Sequence, residues 1–214
     1  MNWFLDMCIL IFYAEIGGKN YEKTTRFIKE KKEKKFLLCF YITKENMPKW
    51  INREKIILKL ISKKIQEDSL NIENMKEYKY LTSRDIVKLK KLLAQCFSSP
   101  NKEEYYERLK RNQIIMLSRI NYFLTKLIDK EVIPIKEIDF ELKSTLFTFL
   151  QNHSDAMTLA SGIQYNQIEE LKILTGDKKD WNKDNILWVY DSRPDLAKKY
   201  SKIPKINYIQ SFEN

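Results

Sequence analysis

Seven consecutive apolar residues, Phe36-Leu37-Leu38-Cys39-Phe40-Tyr41-Ile42, restrict the folds open to this chain more than any other feature. The run is β-rich and does not alternate. A strand of that kind is covered on both faces, and such strands belong to parallel sheets with helices on either side. Two shorter apolar runs, Trp3-Phe4-Leu5 and Leu171 to Leu174, read as further buried strands. Between Trp3 and Phe36 lie two helical segments. Cys8 to Tyr13 is apolar enough for a buried helix that ends at Gly17-Gly18. Asn20 then caps an amphipathic helix running to about Lys35. Strand, helices, strand is the crossover pattern of a parallel α/β sheet. Only 4 Gly and 5 Pro in 214 residues argue against a turn-rich all-β chain. The length suits one domain, or one domain with a large insertion.

The rest of the chain is mainly helical. Trp50 to Asp68 is amphipathic, and Ser83 is placed to cap a helix from Arg84 to about Phe97. Ser98-Ser99-Pro100-Asn101 is a break, and a longer helix follows from about Lys102 to Asp129. Val132 to Ile135 reads as a short edge strand and Ile138 to Leu150 as a helix. His153 opens another helix, with Ser154 as its N-cap and Asp155 in its first turn. After the Leu171 strand and its Thr175-Gly176-Asp177 turn, Asn185 to Tyr190 reads as a last sheet strand. The tail from Asp191 is polar, and Ile206 to Ile209 in it either adds a strand or packs as an extended arm.

Lys and Arg exceed Asp and Glu by 39 − 29 = 10, which suits a polyanionic partner or a Lys-rich surface of no special purpose. Arg108, Lys110, Arg111 and Arg119, with Tyr105 and Tyr106, form a stripe fit for stacking on RNA bases and holding phosphates. The same stripe also reads as a core edge with snorkelling side chains. Cys8, Cys39 and Cys96 lie far apart in apolar runs and lack metal-binding spacing, so they read as buried thiols of a reducing cytosol. The opening run is too short to span a bilayer and has no signal-peptide shape, so a cytoplasmic protein without a membrane partner is expected. One histidine excludes a ribonuclease with a paired His acid and base. No phosphate-cradling Gly loop, G-x-S-x-G or H-E-x-x-H occurs.

Three acids stand out by position. Asp6 ends the first strand, Asp155 begins a helix, and Asp177 follows the Leu171 strand. In open α/β sheets, ligand sites gather at the carboxyl ends of the strands. Carboxylates collected there repel one another unless a cation lies between them. Oxygen-only ligands favour Mg²⁺ or Mn²⁺.

The order strand–Asp6, an acid after a second strand, Asp155-Ala156 opening a helix, then Thr175-Gly176-Asp177-Lys178-Lys179-Asp180-Trp181 resembles the PIN domain. PIN domains are metal-dependent ribonucleases and 5′-nucleases, and they include toxins of bacterial toxin–antitoxin pairs. The resemblance covers roughly residues 1–50 and 131–190, and its later half is the specific part. Met7 and Cys8 stand where the family usually has Thr or Ser and then Asn or Ser. The resemblance implies a three-layer α/β/α fold with a central, mostly parallel sheet. Here that domain would span 1–190, interrupted by a helical insertion around 84–130 and followed by an extension, 191–214. The insertion reads as a lid, a dimer surface or an added cap.

The implied activity is metal-dependent cleavage of RNA. Asp6, Glu45, Asp155 and Asp177 would be the catalytic carboxylates, with Glu45 chosen for its place just after the second strand and Glu54 as runner-up. The metal would be held by Asp6, Asp155, Asp177 and Asp180, the last as a direct ligand, a water-mediated ligand or an outer group. Thr175 would orient a carboxylate or water. Implied partners are RNA and, for a toxin, an antitoxin protein; a homodimer also fits the family. The competing expectation is a PIN-like RNA- or protein-binding module with little or no turnover, favoured by Met7-Cys8. A third is a helical interaction protein in which the acids are incidental.

Overall fold

The computed structural model describes residues 2–212. Residues 1, 213 and 214, the ends of the apolar opening run and of the C-terminal extension, lie outside the described residues. The chain divides into two compact units, one of residues 1–47 and 119–214, the other of residues 48–118.

In chain order, β1 (Asn2–Leu5) leads through Asp6 into α1 (Met7–Ala14), followed by α2 (Tyr21–Glu30) and β2 (Phe36–Cys39). A π-helical turn, Ile42–Asn46, then leads to α3 (Met47–Gln66), α4 (Ser83–Phe97) and α5 (Lys102–Tyr122). A second π-helical turn, Phe123–Leu127, delivers the chain to β3 (Ile128–Val132). The remaining elements are α6 (Phe140–Leu150), α7 (His153–Ile168), β4 (Leu171–Thr175), α8 (Lys183–Ser192), α9 (Pro194–Lys199) and β5 (Lys205–Tyr208).

The first unit is an α/β fold. Its five strands form one all-parallel sheet in the order β3-β2-β1-β4-β5, flanked by helices. Successive strand residues point to opposite faces, and β1 shows what covers each. Trp3 meets Phe27 of α2 edge-on, with ring centroids 4.8 Å apart. Phe4 points the other way and meets α7 at Gly162, where an added Cβ would lie 3.3 Å from the Phe4 ring and 3.2 Å from Ile173. The small residues of α7 therefore let the helix sit close on the sheet. With α2 and α7 on opposite faces, the central strands β1 and β2 are dry on both sides and β4 nearly so.

Several sequence expectations are corrected here. The Phe36 strand stops at Cys39, because the chain turns helical at Phe40 and keeps Tyr41 and Ile42 buried in that turn instead. Of the Val132 to Ile135 run only Val132 is in a strand; it ends β3, which begins at Ile128 where a helix end was expected. Its Asp129-Lys130-Glu131 segment is a charged edge, and edge strands tolerate such residues because one side stays unpaired. Asp129 accepts a hydrogen bond from the Phe36 amide at 2.8 Å, where the register shifts. Ile133 has φ 52°, a left-handed conformation that ends the strand. Asn185 to Tyr190 is helical. Asn182 accepts from the Asn185 amide at 2.8 Å, and Ile186, Val189 and Tyr190 bury at helical spacing. A short apolar run carries no period long enough to separate the two structures. The sheet's last position belongs instead to β5, which pairs with β4 along Lys205–Tyr208. α1 ends at Ala14, before the two glycines.

The second unit is helical, with Ile57, Leu60, Ile61, Leu89 and Cys96 in its core. Thr82, not Ser83, caps α4, through a reciprocal capping box with Asp85. Among the described residues, no helix is long and apolar enough to cross a membrane.

Candidate metal centre

The strand order decides where the site falls. The chain builds β1, β2 and β3 outward on one side, then crosses to build β4 and β5 on the other. Between β1 and β4 the order reverses, and a crevice opens beyond the carboxyl ends of strands at such a switch point. Asp6 follows β1 and Asp177 follows β4. Asp6 is 7% exposed, and its Oδ2 accepts from the Thr175 hydroxyl at 2.8 Å and from the Cys8 thiol at 2.8 Å. Burial raises the Asp6 pKa, and the two donors pull it back. Burial, reinforced by Asp6, pushes the Cys8 thiol well above its ordinary range. Cys8 therefore stays protonated and remains a donor.

Thr175 ties the two strand ends together. Its hydroxyl donates to Asp6 and accepts from the Asp177 amide at 3.0 Å. Asp177 Oδ1 in turn accepts from the amides of Lys179 and Asp180 at 2.9 and 3.0 Å. The turn thus folds around its own carboxylate, as Asp commonly does, and turns Asp180 back toward Asp177. The Gly176 amide donates to Cys8 Sγ at 3.0 Å. A Cβ on Gly176 would lie 2.4 Å from the Phe12 ring, so only glycine lets this turn press against α1.

One carboxylate oxygen from each of Asp155, Asp177 and Asp180 lies within 4.8 Å of the other two. Asp155 is raised to about 7, first by burial, then by the charge of Asp6, with Asp177 and Asp180 adding to it. Its helix is capped by Asn152, which accepts from the Ser154 and Asp155 amides at 3.0 and 3.4 Å. The expected cap, Ser154, instead donates its hydroxyl to Asn46 at 2.9 Å and so links α7 to the turn after β2. Trp181 is fully buried, and its indole N–H lies close enough to Asp155 to favour the charged carboxylate. Among the described residues, that N–H reaches full hydrogen-bond geometry with no acceptor. A buried donor left short of its acceptor, beside carboxylates that repel one another, suits a group of acids that closes around a hard cation.

Glu45 lies on the π-helical turn Ile42–Asn46 that follows β2 and is not one of the three clustered acids. Asp6 is also outside the trio, yet near enough to raise Asp155. Glu54 belongs to the helical unit and pairs with Lys88 at 2.7 Å. His153 opens α7 with its ring 5.8 Å from that of Tyr41, a packing position. Arg119 is also structural. It donates twice to the Tyr13 carbonyl, at 2.9 and 2.7 Å, and lies over the Tyr13 ring. Comparison with family models, curated proteins and solved structures found no match for this chain.

Sequence reasoning missed Cys8 and Asn152. Cys8 was read as a buried thiol, although its place two residues after a strand-ending Asp was a usable signal. Replacing Cys8 with Ala removes one donor from buried Asp6 and leaves the Gly176 amide unpaired. The expected loss is about 1–3 kcal/mol of stability in denaturant unfolding. Cys8→Ser keeps a donor and an acceptor in that place and should recover most of it. Equal losses in the two variants would show that sulfur packing, not the hydrogen bonds, matters there.

Proposed function

We propose that the chain is a metal-dependent endoribonuclease with a PIN-like site. Asp155, Asp177 and Asp180 hold Mg²⁺ or Mn²⁺, and buried Asp6 adds charge beside them. The reading is carried by one observation: the acids converge where the strand order reverses, between β1 and β4. It is supported by the Asp155-Ala156 and Thr175-Gly176-Asp177 segments that prompted the resemblance, and by the parallel α/β fold that the resemblance implies.

When bound, a divalent cation neutralises charge at the scissile phosphate and acidifies an attacking water. The chain's own groups prepare the place for it. Thr175 and Cys8 restrain Asp6 through one carboxylate oxygen. Two backbone amides occupy Asp177 Oδ1 and leave its other oxygen for a cation. The Trp181 indole steadies Asp155 in its charged form. A net charge of +10 draws a polyanion toward the molecule. The module without turnover was favoured by the Met7-Cys8 departure. Since the Cys8 thiol holds Asp6 as a hydroxyl or amide would, that departure carries little weight.

The direct test incubates the protein with single-stranded and structured RNAs, in Mn²⁺, in Mg²⁺ and in chelator. Cleavage in metal and none in chelator is the expected result. Metal bound without cleavage of any RNA would favour the binding module. No cleavage and no metal bound would end the proposal.

A further inference from the structure

We infer that the helical unit, residues 48–118, carries a binding trough for single-stranded RNA, built from lysines of α3 and the facing side of α5. Lys55, Lys59 and Lys63 recur every four residues and so form one stripe along α3. Like charges at that spacing disfavour a helix, and a bound polyanion relieves the repulsion. Tyr106 and Lys110 of α5, also four residues apart, face the stripe across a hollow of about 520 Å³, with Leu58 and Ile114 among its walls. A second hollow of about 350 Å³ shares Lys55 and Lys59 and reaches Tyr80, which is 59% exposed. The two hollows thus run together along the lysines, with a tyrosine at each side. Lysines that follow a backbone and aromatic rings that take bases are the parts of a single-strand site.

The carboxylates facing the trough are few. Glu77 pairs with Lys59 at 2.6 Å and Glu107 with Lys110 at 2.5 Å. Lys55 and Lys63 make no ion pair among the described residues. Duplex RNA is a poorer fit, because its bases are stacked inside and unavailable to Tyr80 and Tyr106. The choice of RNA among polyanions rests on the nuclease proposal; the trough itself does not.

The test is fluorescence anisotropy of the full chain with a labelled single-stranded oligonucleotide, in chelator so that nothing is cleaved. The triple variant Lys55→Glu, Lys59→Glu, Lys63→Glu is compared with Lys29→Glu, Lys32→Glu, Lys34→Glu, which changes net charge equally in the other unit. The trough variant should bind at least about tenfold more weakly and show a shallower salt dependence by about two to three phosphates. The control should lose far less. Tyr106→Ala, whose charge is unchanged, should weaken binding by about fivefold or more and keeps the inference testable if the triple variant fails to fold. Equal losses in the two triple variants would overturn the inference. So would no effect of Tyr106→Ala, or a wild-type protein that prefers duplex to single strand. A protein that binds RNA in the trough yet cleaves nothing in metal would end the nuclease proposal alone. Cleavage untouched by the trough variants would end this inference alone.

Discussion

Asp155→Asn protein is expected to lose metal-dependent RNA cleavage and, in the absence of metal, to be more stable than the wild type at pH 8. The two effects have one cause. Asp155 brings a negative charge into a partly buried place beside Asp6, Asp177 and Asp180, and it is raised from 3.8 to about 7 there. Removing the charge relieves the repulsion and removes a ligand. Loss of a group that only supports a metal ligand typically costs about 10–100-fold in affinity or activity, so loss of Asp155 itself should cost at least about 100-fold. The shift of about three units corresponds to a ceiling near 4 kcal/mol. Solvent contact at Asp155 reduces this, and about 2 kcal/mol of stabilisation is the expected gain. Urea unfolding at pH 8 in chelator measures one effect, and cleavage of RNA in Mn²⁺ the other. A variant that cleaves normally would remove Asp155 from the site, and one less stable than wild type would show that its charge is already compensated.

The second large effect is a reversal of pH dependence by metal. In the unfolded chain Asp155 loses its proton near pH 4; in the folded metal-free chain it does so near pH 7. Between those values the folded state holds more protons, so stability falls as pH rises through that window. Asp6, also raised by burial, acts in the same direction. The metal-free protein should therefore be more stable at pH 5.5 than at pH 8. Mg²⁺ or Mn²⁺ should restore the loss at pH 8, by about 2.7 kcal/mol at a hundred times its Kd, or about 5–11 °C in Tm for a chain of this size. At pH 5.5 the proton competes for Asp155 and the metal's effect should shrink. A metal-induced rise in Tm equal at both pH values, or equal in Asp155→Asn, would mean the ion binds elsewhere.

Much of the sheet was legible in the sequence because its central strands are buried on both faces. Trp3 to Leu5 and the start of the Phe36 run announce themselves as unbroken apolar runs, and Leu171 to Leu174 as an apolar run broken only by Lys172. The edge strands were harder. β3 carries Asp129, Lys130 and Glu131, and β5 lies in a polar tail, so neither has the composition of a core strand. In the sequence the apolar run at Asn185 to Tyr190 reads as the last sheet strand, and Ile206 to Ile209 as strand or extended arm, since periodicity over six residues cannot separate a buried strand from one face of a helix.

Among the candidate site residues, sequence position pointed to Asp6, Asp155, Asp177 and Asp180, each at the end or start of an element. It ranked Glu45 above Glu54 by nearness to the second strand, and the tertiary structure shows what each of them adjoins. Glu54 pairs with Lys88 in the helical unit, and Glu45 lies on the turn after β2, beside the Asn46 that holds Ser154. The partnership of Cys8 with Asp6 and Gly176 was likewise out of reach, because its partners come together only where β1 meets β4.

By itself, then, the sequence determined the elements whose burial is one-dimensional: apolar strands, amphipathic helices, and acids placed where those elements end. Local composition carries that information because burial and capping act within a few residues of the chain. Strand order, the meeting of β1 with β4, and the approach of Asp180 to Asp155 were decided only by the tertiary structure. These depend on contacts between segments about 170 residues apart in the case of Asp6 and Thr175, and no local pattern encodes which distant strand a strand will choose as its neighbour.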